Sequence, residues 1–419
     1  MPLSIDVYHS FPPHVTQVLE QTIEGYPAGR DIVVNLKKIE GNYQQAFNNV
    51  VEGKVGALED HIVCVIGPEY VVSQVAKAAD KGYIVDIRNY IAPERAQDIS
   101  ETAQNAFGSY GLPLNSSIPG MFANATVLKA VGCEFPRTVE DIEKIAQIIF
   151  KQRDRLVSEG LLDEDFGIYT CAWPAAYVVE IPMAIQEMPL ATPDNGLSGS
   201  GRYELKSALP LLLTLREHVR EGLFVYGDQK GVLSEKMFLD KKVVFFQQGL
   251  THASRLEGLV REKGFEMESG AAPLPKGLEG RAHAVPLGGS ALWVVNSTAV
   301  HTYANNLSRF LNYLASDVTM SKWHTDLGAM PVLTSTYDRL KAEGFYQDHP
   351  IHRAVVQQTL EALHGEFSKG IHMPNWSQAR GEIFNIIEQA VARDEKENFK
   401  LSDEELAEVL KAFDLRYSS

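Results

Sequence analysis

The sequence has little cysteine, no long apolar run and a shortage of positive charge, and each absence closes off a class of function. Its three cysteines, Cys64, Cys133 and Cys171, are widely spaced with no C-x-x-C pair, which excludes a disulfide scaffold and a cysteine-rich zinc site. Cys64 and Cys171 stand in apolar, strand-like stretches and read as small buried hydrophobes. No uninterrupted apolar run approaches the roughly 20 residues that cross a bilayer as a helix. With 39 Lys and Arg against 54 Asp and Glu the formal net charge is −15, a field that repels nucleic acid and anionic lipid. Met1–Tyr8 has neither the basic nor the apolar region of a signal peptide, which leaves a cytoplasmic protein or one whose leader has been removed.

Catalytic signatures are missing too. There is no G-x-x-x-x-G-K-[ST], no H-E-x-x-H and no G-x-S-x-G, and Gly288-Gly-Ser-Ala-Leu292 fails the last at its fifth position. The 12 histidines leave a triad assembled in space open without pointing to one. His349-Pro-Ile-His352, after Asp348, has metal-like spacing, but its Pro-interrupted loop offers no third ligand nearby and reads as a surface pair. No enzyme, cofactor or metal site is expected.

What is present is a two-part α/β pattern. A chain of 419 residues exceeds what one core fills, so two domains of roughly 200 residues are expected. Ser4–Tyr8, Asp31–Lys37 and His61–Ile66 read as strands, with amphipathic helices at Val15–Thr22, Tyr43–Gly53 and Tyr70–Lys81 between them. Leu112–Pro119, with two prolines and no helical period, reads as an extended crossover and hinge. Thr138 and Asp141 form a capping-box pair for a helix to about Ser158, and Ser402 with Glu405 forms another for the last helix. Between them, Gly167–Cys171 and Lys242–Gln247 read as strands and Tyr203–Glu221 as one long helix. Ser269–Gly277 reads as a second crossing, Ala291–Val295 as a strand returning to the first sheet, and the chain from Val300 onward as mostly helical.

Four distant stretches have the chemistry of ligand capture. Gly288-Gly-Ser290 precedes an apolar strand, and glycines there let an anionic oxygen approach backbone N–H groups. Gly41-Asn-Tyr43 and the hydroxyls of Ser116 and Ser117 supply further donors. Arg380, near a helix start, offers a planar fork of donors matching phosphate or carboxylate, though alone it reads as a solvated surface residue.

Taken in order, Tyr8-His-Ser10, Gly41-Asn-Tyr43, Leu112 to Ser117, Gly288 to Trp293, Lys322-Trp-His324, Gly344-Phe-Tyr346, Lys369-Gly370 and Asn375 to Arg380 resemble the periplasmic glycerol-3-phosphate-binding proteins of ATP-driven importers. These are a branch of the extracellular solute-binding proteins. The resemblance implies a two-lobed α/β fold of the maltose-binding-protein type, with hinge segments and a ligand cleft between the lobes. One lobe is then 1–112 with 270–325, the other 113–269 with 326–419. It implies a monomer in the periplasm that closes on its ligand and docks on a permease pair driven by an ATPase.

The same resemblance implies that Tyr43 bonds the glycerol end, that Ser117, the Gly289 backbone and Arg380 grip phosphate, and that Trp173 stacks on the glycerol carbons. His9, Ser116 and Gly288 are further candidate contacts. The sequence departs from the family at Gly67, in place of a carboxylate with Glu69 two residues on, at Ala176, in place of a second tryptophan, at Gln248, in place of a serine, and at Ala329, in place of a tyrosine. The lost bulk implies more room and a larger ligand, a glycerophosphodiester such as glycerophosphocholine. Its headgroup would lie at Ala176 or Gly67, with Tyr177 or Trp173 facing a quaternary ammonium. An oligosaccharide-binding protein of the same fold and a phosphodiester hydrolase are the rival readings.

Overall fold

A computed structural model describes residues 3–27, 32–39, 43–51, 61–68, 71–108, 110–198, 200–278, 288–359 and 366–418. The chain divides into two compact units, one of Met1–Ser117 with Leu287–Arg353 and the other of Ile118–Pro286 with Ala354–Ser419. Gly41, Asn42, Glu69, Pro286 and Leu287 lie outside the described residues, and Tyr43 opens a helix without a described side chain.

The first unit is built on a five-stranded sheet in the order Ile32–Lys38, Leu3–His9, His61–Pro68, Gly288–Val294, Leu112–Ser117. The first three strands are parallel and joined by helices, whereas Gly288–Val294 runs antiparallel to both its neighbours. The central strand Ile62–Ile66 is buried throughout, as a strand covered on both faces must be. Cys64 sits within it, and burial pushes its thiol pKa well up. Pro113 is tolerated because Leu112–Ser117 is the sheet's edge, where a missing N–H costs no ladder bond.

The second unit has a four-stranded sheet in the order Met267–Ala271, Pro119–Asn124, Phe245–Gly249, Tyr169–Cys171. Its core continues through the buried face of Val139–Lys151, where Ile142, Ile145, Ala146 and Ile149 pack on Met121, Ala123 and Phe245. Both capping boxes are formed, at Thr138 with Asp141 and at Ser402 with Glu405.

The extended crossover expected at Leu112–Pro119 consists of two strands that meet at the unit boundary, while two helix expectations change. The Tyr203–Glu221 helix starts only at Leu209, because Pro210 occupies its first turn and Tyr203 pairs in a short hairpin with Ala191. The helix from Thr138 breaks at Gln152, where a second one begins. The division of the chain also falls later than 270 and 325. Met267–Ala271 pairs with Pro119–Asn124 inside the second unit, and Met330 bonds Ser116 inside the first.

Candidate functional site

The register of the first sheet gathers one set of candidates at a single edge. His9 and Gly67 stand at the carboxyl ends of parallel strands, Ser116 and Ser117 end a strand running the same way, and Gly288 and Gly289 begin the antiparallel strand opposite them. Ala329 joins this edge, because the next residue's N–H donates to the Ser116 carbonyl at 2.8 Å. Ligands of open α/β sheets bind outside the carboxyl ends of strands.

Individual residues at this edge have different surroundings. Gly289 has φ +119°, and a Cβ there would lie 1.8 Å from the Asn115 carbonyl oxygen. Glycine is thus required first by the paired strand, next to a bulge at Ser290 and Ala291. At Gly288 an added Cβ meets nothing closer than 3.7 Å. Ser116 and Ser117 do not share a face: successive strand residues alternate, and Ser116 is fully buried, its hydroxyl unpartnered among the described residues. His9 is also buried, and its Nδ1 accepts the Phe11 N–H at 3.3 Å. Burial, with Lys38 nearby, lowers its pKa.

The expected room at Gly67 is already occupied. A Cβ there would lie 2.9 Å from the Trp293 ring and 3.3 Å from Phe47, which pack edge-to-face at 5.5 Å. Ala329 is likewise fully buried, and its carbonyl accepts from His324 Nδ1 at 2.5 Å. Neither position leaves space for a headgroup. His352 is no surface residue either: it is buried, with Nε2 on the Thr325 carbonyl and its ring against His324.

In the second unit the other set collects at the corresponding edge. Cys171 pairs with Gln247, and Gln248 pairs with Gly120, so Gln248 and Trp173 lie at neighbouring strand ends. Trp173 is 36% exposed despite its size and sits at φ +51°, a backbone region that costs a bulky residue about 1–3 kcal/mol and clusters at functional sites. Its ring tilts against Phe384 at 6.2 Å. Tyr177 is half-buried and burial raises its hydroxyl pKa, so Trp173 is the more exposed aromatic of the two. Gln248 is buried and folds its Oε1 onto the Gly249 N–H at 3.0 Å. Ala176 is half-buried against Ile181, Ile185 and Leu274, and of the three reduced positions it alone retains exposed surface.

Arg380 is not solvated. It stands in the first turns of Trp376–Val391, one turn before Phe384, and its Nε donates to Glu180 Oε1 at 2.7 Å. Glu180 and Phe384 escaped the sequence reading. Phe384 carried one signal, its i,i+4 spacing from Arg380; Glu180 carried none, since its partner is remote in sequence. Among the described residues no cluster of His, Cys, Asp or Glu could hold a metal ion. No described helix is long and apolar enough to cross a membrane.

Comparison with known proteins adds the family. Residues 34–354 match the bacterial extracellular solute-binding protein family. The sn-glycerol-3-phosphate-binding periplasmic protein UgpB of Pectobacterium atrosepticum is 24% identical over 280 residues, which are 66% of this chain and 60% of that protein. The match thus spans less than two thirds of the relative's length. Among solved structures, the GacH receptor of Streptomyces glaucescens, seen unliganded and with acarbose, superposes with TM-score 0.74 at 14% identity over all of both chains. UgpB of Mycobacterium tuberculosis, in complex with glycerophosphocholine, superposes with TM-score 0.71 at 14% identity, covering 100% of this chain and 97% of that one. These likenesses show the fold, an α/β architecture of the maltose-binding-protein type.

Proposed function

This chain belongs to the bacterial extracellular solute-binding proteins, and from that premise we propose that it is the capture receptor of an ATP-driven importer whose ligand is a glycerophosphodiester such as glycerophosphocholine. The carrying observation is the second unit's combination of an exposed aromatic face, Trp173, with a guanidinium, Arg380, held one turn from the phenylalanine that Trp173 packs against. A broad apolar face suits glycerol carbons or a quaternary ammonium, and a guanidinium suits a phosphate. The extra room is assigned to Ala176 alone.

The reading of a receptor rather than an enzyme is supported by relatives named as binding proteins. Its periplasmic location is supported by the same relatives.

An oligosaccharide ligand is the second reading. It is favoured by the pairing of Arg380's charge with Glu180, and by fold neighbours solved with acarbose and with maltotriose.

Titration calorimetry with glycerophosphocholine, glycerol 3-phosphate, inorganic phosphate and maltose separates these. The diester is expected to bind tightest. Tighter binding of glycerol 3-phosphate removes the larger-ligand reading, and binding of maltose alone establishes the sugar reading. Turnover of the diester on prolonged incubation would make the protein a hydrolase.

A further inference from the structure

A shielded carboxylate touches the guanidinium on which the phosphate reading depends. Glu180 and Arg380 are 200 residues apart in sequence, yet their side chains meet at 2.7 Å and keep only 14% exposure for Arg380 and 9% for Glu180. Exposed ion pairs are screened and worth little, whereas a pair so enclosed keeps much more of its coulombic strength. Glu180 ends the helical segment Ala175–Glu180, which begins two residues after Trp173. One short segment therefore carries the exposed ring before its start and the carboxylate at its end.

We infer that Glu180 is a specificity-determining residue: it orients Arg380 and offsets its charge, so that the site accepts a phosphate bearing one negative charge and disfavours one bearing two. The inference rests on the phosphorylated-ligand reading above. A phosphomonoester carries about −1.5 to −2 at neutral pH, and a diester carries one charge. Beside an arginine alone, the more negative ligand gains more. With a carboxylate fixed on Nε, the pair sums to zero, and the second charge of a monoester meets Glu180 as a like charge, the arrangement by which interfaces reject wrong partners. A diester avoids that repulsion, and a cationic headgroup on it is drawn toward the same carboxylate. Orientation follows from planarity: tying Nε to Glu180 fixes the plane of the whole fork.

The test is calorimetric titration of the full chain and of Glu180→Gln with glycerophosphocholine and with glycerol 3-phosphate, at about pH 7.5, where the monoester is largely a dianion. Wild type is expected to prefer the diester by at least about tenfold, and Glu180→Gln to move that ratio toward the monoester by a similar factor. A purely structural Glu180 would weaken both ligands alike, and an unchanged ratio overturns the inference while leaving the diester reading intact. Failure of wild type to bind either ligand overturns the reading on which it rests. If circular dichroism shows Glu180→Gln unfolded, Glu180→Asp is read instead. A preference kept with the charge supports the inference, and a preference lost although the charge is kept overturns it.

Discussion

Gly289→Ala separates two reasons for a glycine at the head of the Gly288–Val294 strand: approach of a ligand, or approach of the neighbouring chain. The added Cβ would sit 1.8 Å from the Asn115 carbonyl oxygen and 2.7 Å from Ser116 Cα. Both are backbone atoms of the paired strand, so no side chain can swing aside, and the two strands must separate or the bulge must rearrange. The backbone at φ +119° lies where L side chains are rarely found and adds its own strain, about 1–3 kcal/mol. Overpacking that forces backbone shifts costs about 1–3 kcal/mol. Together the loss should be about 2–6 kcal/mol. Gly288→Ala is the internal control, because its Cβ would meet only Ser117 atoms at 3.7 Å or more. There the change should fall within about 1 kcal/mol, with reduced freedom of the unfolded chain helping it. Urea unfolding followed by tryptophan fluorescence suits the test, since the fully buried Trp293 lies on the same strand. If Gly289→Ala costs less than about 1 kcal/mol, or Gly288→Ala costs as much, the close approach of Asn115 does not dictate the glycine.

Three further perturbations follow from the same geometry. Arg380→Ala should weaken any phosphorylated ligand by at least about 2 kcal/mol, roughly thirtyfold in Kd. It should also lower stability by stranding Glu180, so the double variant with Glu180→Ala should unfold at higher urea than Arg380→Ala alone; equal midpoints would mean that water already serves Glu180. Trp173→Ala should cost at least about 1 kcal/mol of ligand affinity but change stability by less than about 1 kcal/mol, because the ring is 36% exposed; a large loss of stability with unchanged affinity would make it a packing residue. Burial lowers the His324 pKa from 6.5 to about 3, with His352 and His349 adding to the effect and the hydrogen bond to Ala329 opposing it. Its stabilising contribution is therefore complete above about pH 6.5 and is lost as pH falls toward 3, at about 1.4 kcal/mol per pH unit. Unfolding midpoints between about pH 7 and 5 should fall more steeply in wild type than in His324→Asn, and parallel slopes would place the acid sensitivity elsewhere.

The parts of the fold readable from sequence are those whose causes are local. Thr138 with Asp141 and Ser402 with Glu405 cap their helices across three residues, and the apolar runs at Ile5, Val34 and Val63 are short enough to be strands. Pro210 was equally local. Its fixed backbone angle admits it only in the first turn of a helix, which should have moved the helix start from Tyr203 to Leu209. Unit boundaries are a different matter. They depend on pairing between remote strands, such as Met267–Ala271 with Pro119–Asn124, and no feature of residues 270–286 says to which sheet the preceding strand belongs.

The candidate site shows the same divide. Residue type was legible: glycines at 288 and 289, an aromatic at 173, a guanidinium at 380. What surrounds each was not. Gly67 looked like a vacancy because it replaces a larger residue, but Trp293 and Phe47 reach it from other segments and close it. Arg380 looked like a lone cation because the carboxylate that meets it is 200 residues away. Both corrections reduce what the substitutions alone implied, one by removing space and the other by removing charge. If the proposed site is right, ligand size hangs on Ala176 and ligand charge on the pair of Arg380 with Glu180. On the proposed reading, an arginine already offset by a carboxylate gains little from a second negative charge, so charge favours a diester more strongly than the small room at Ala176 does.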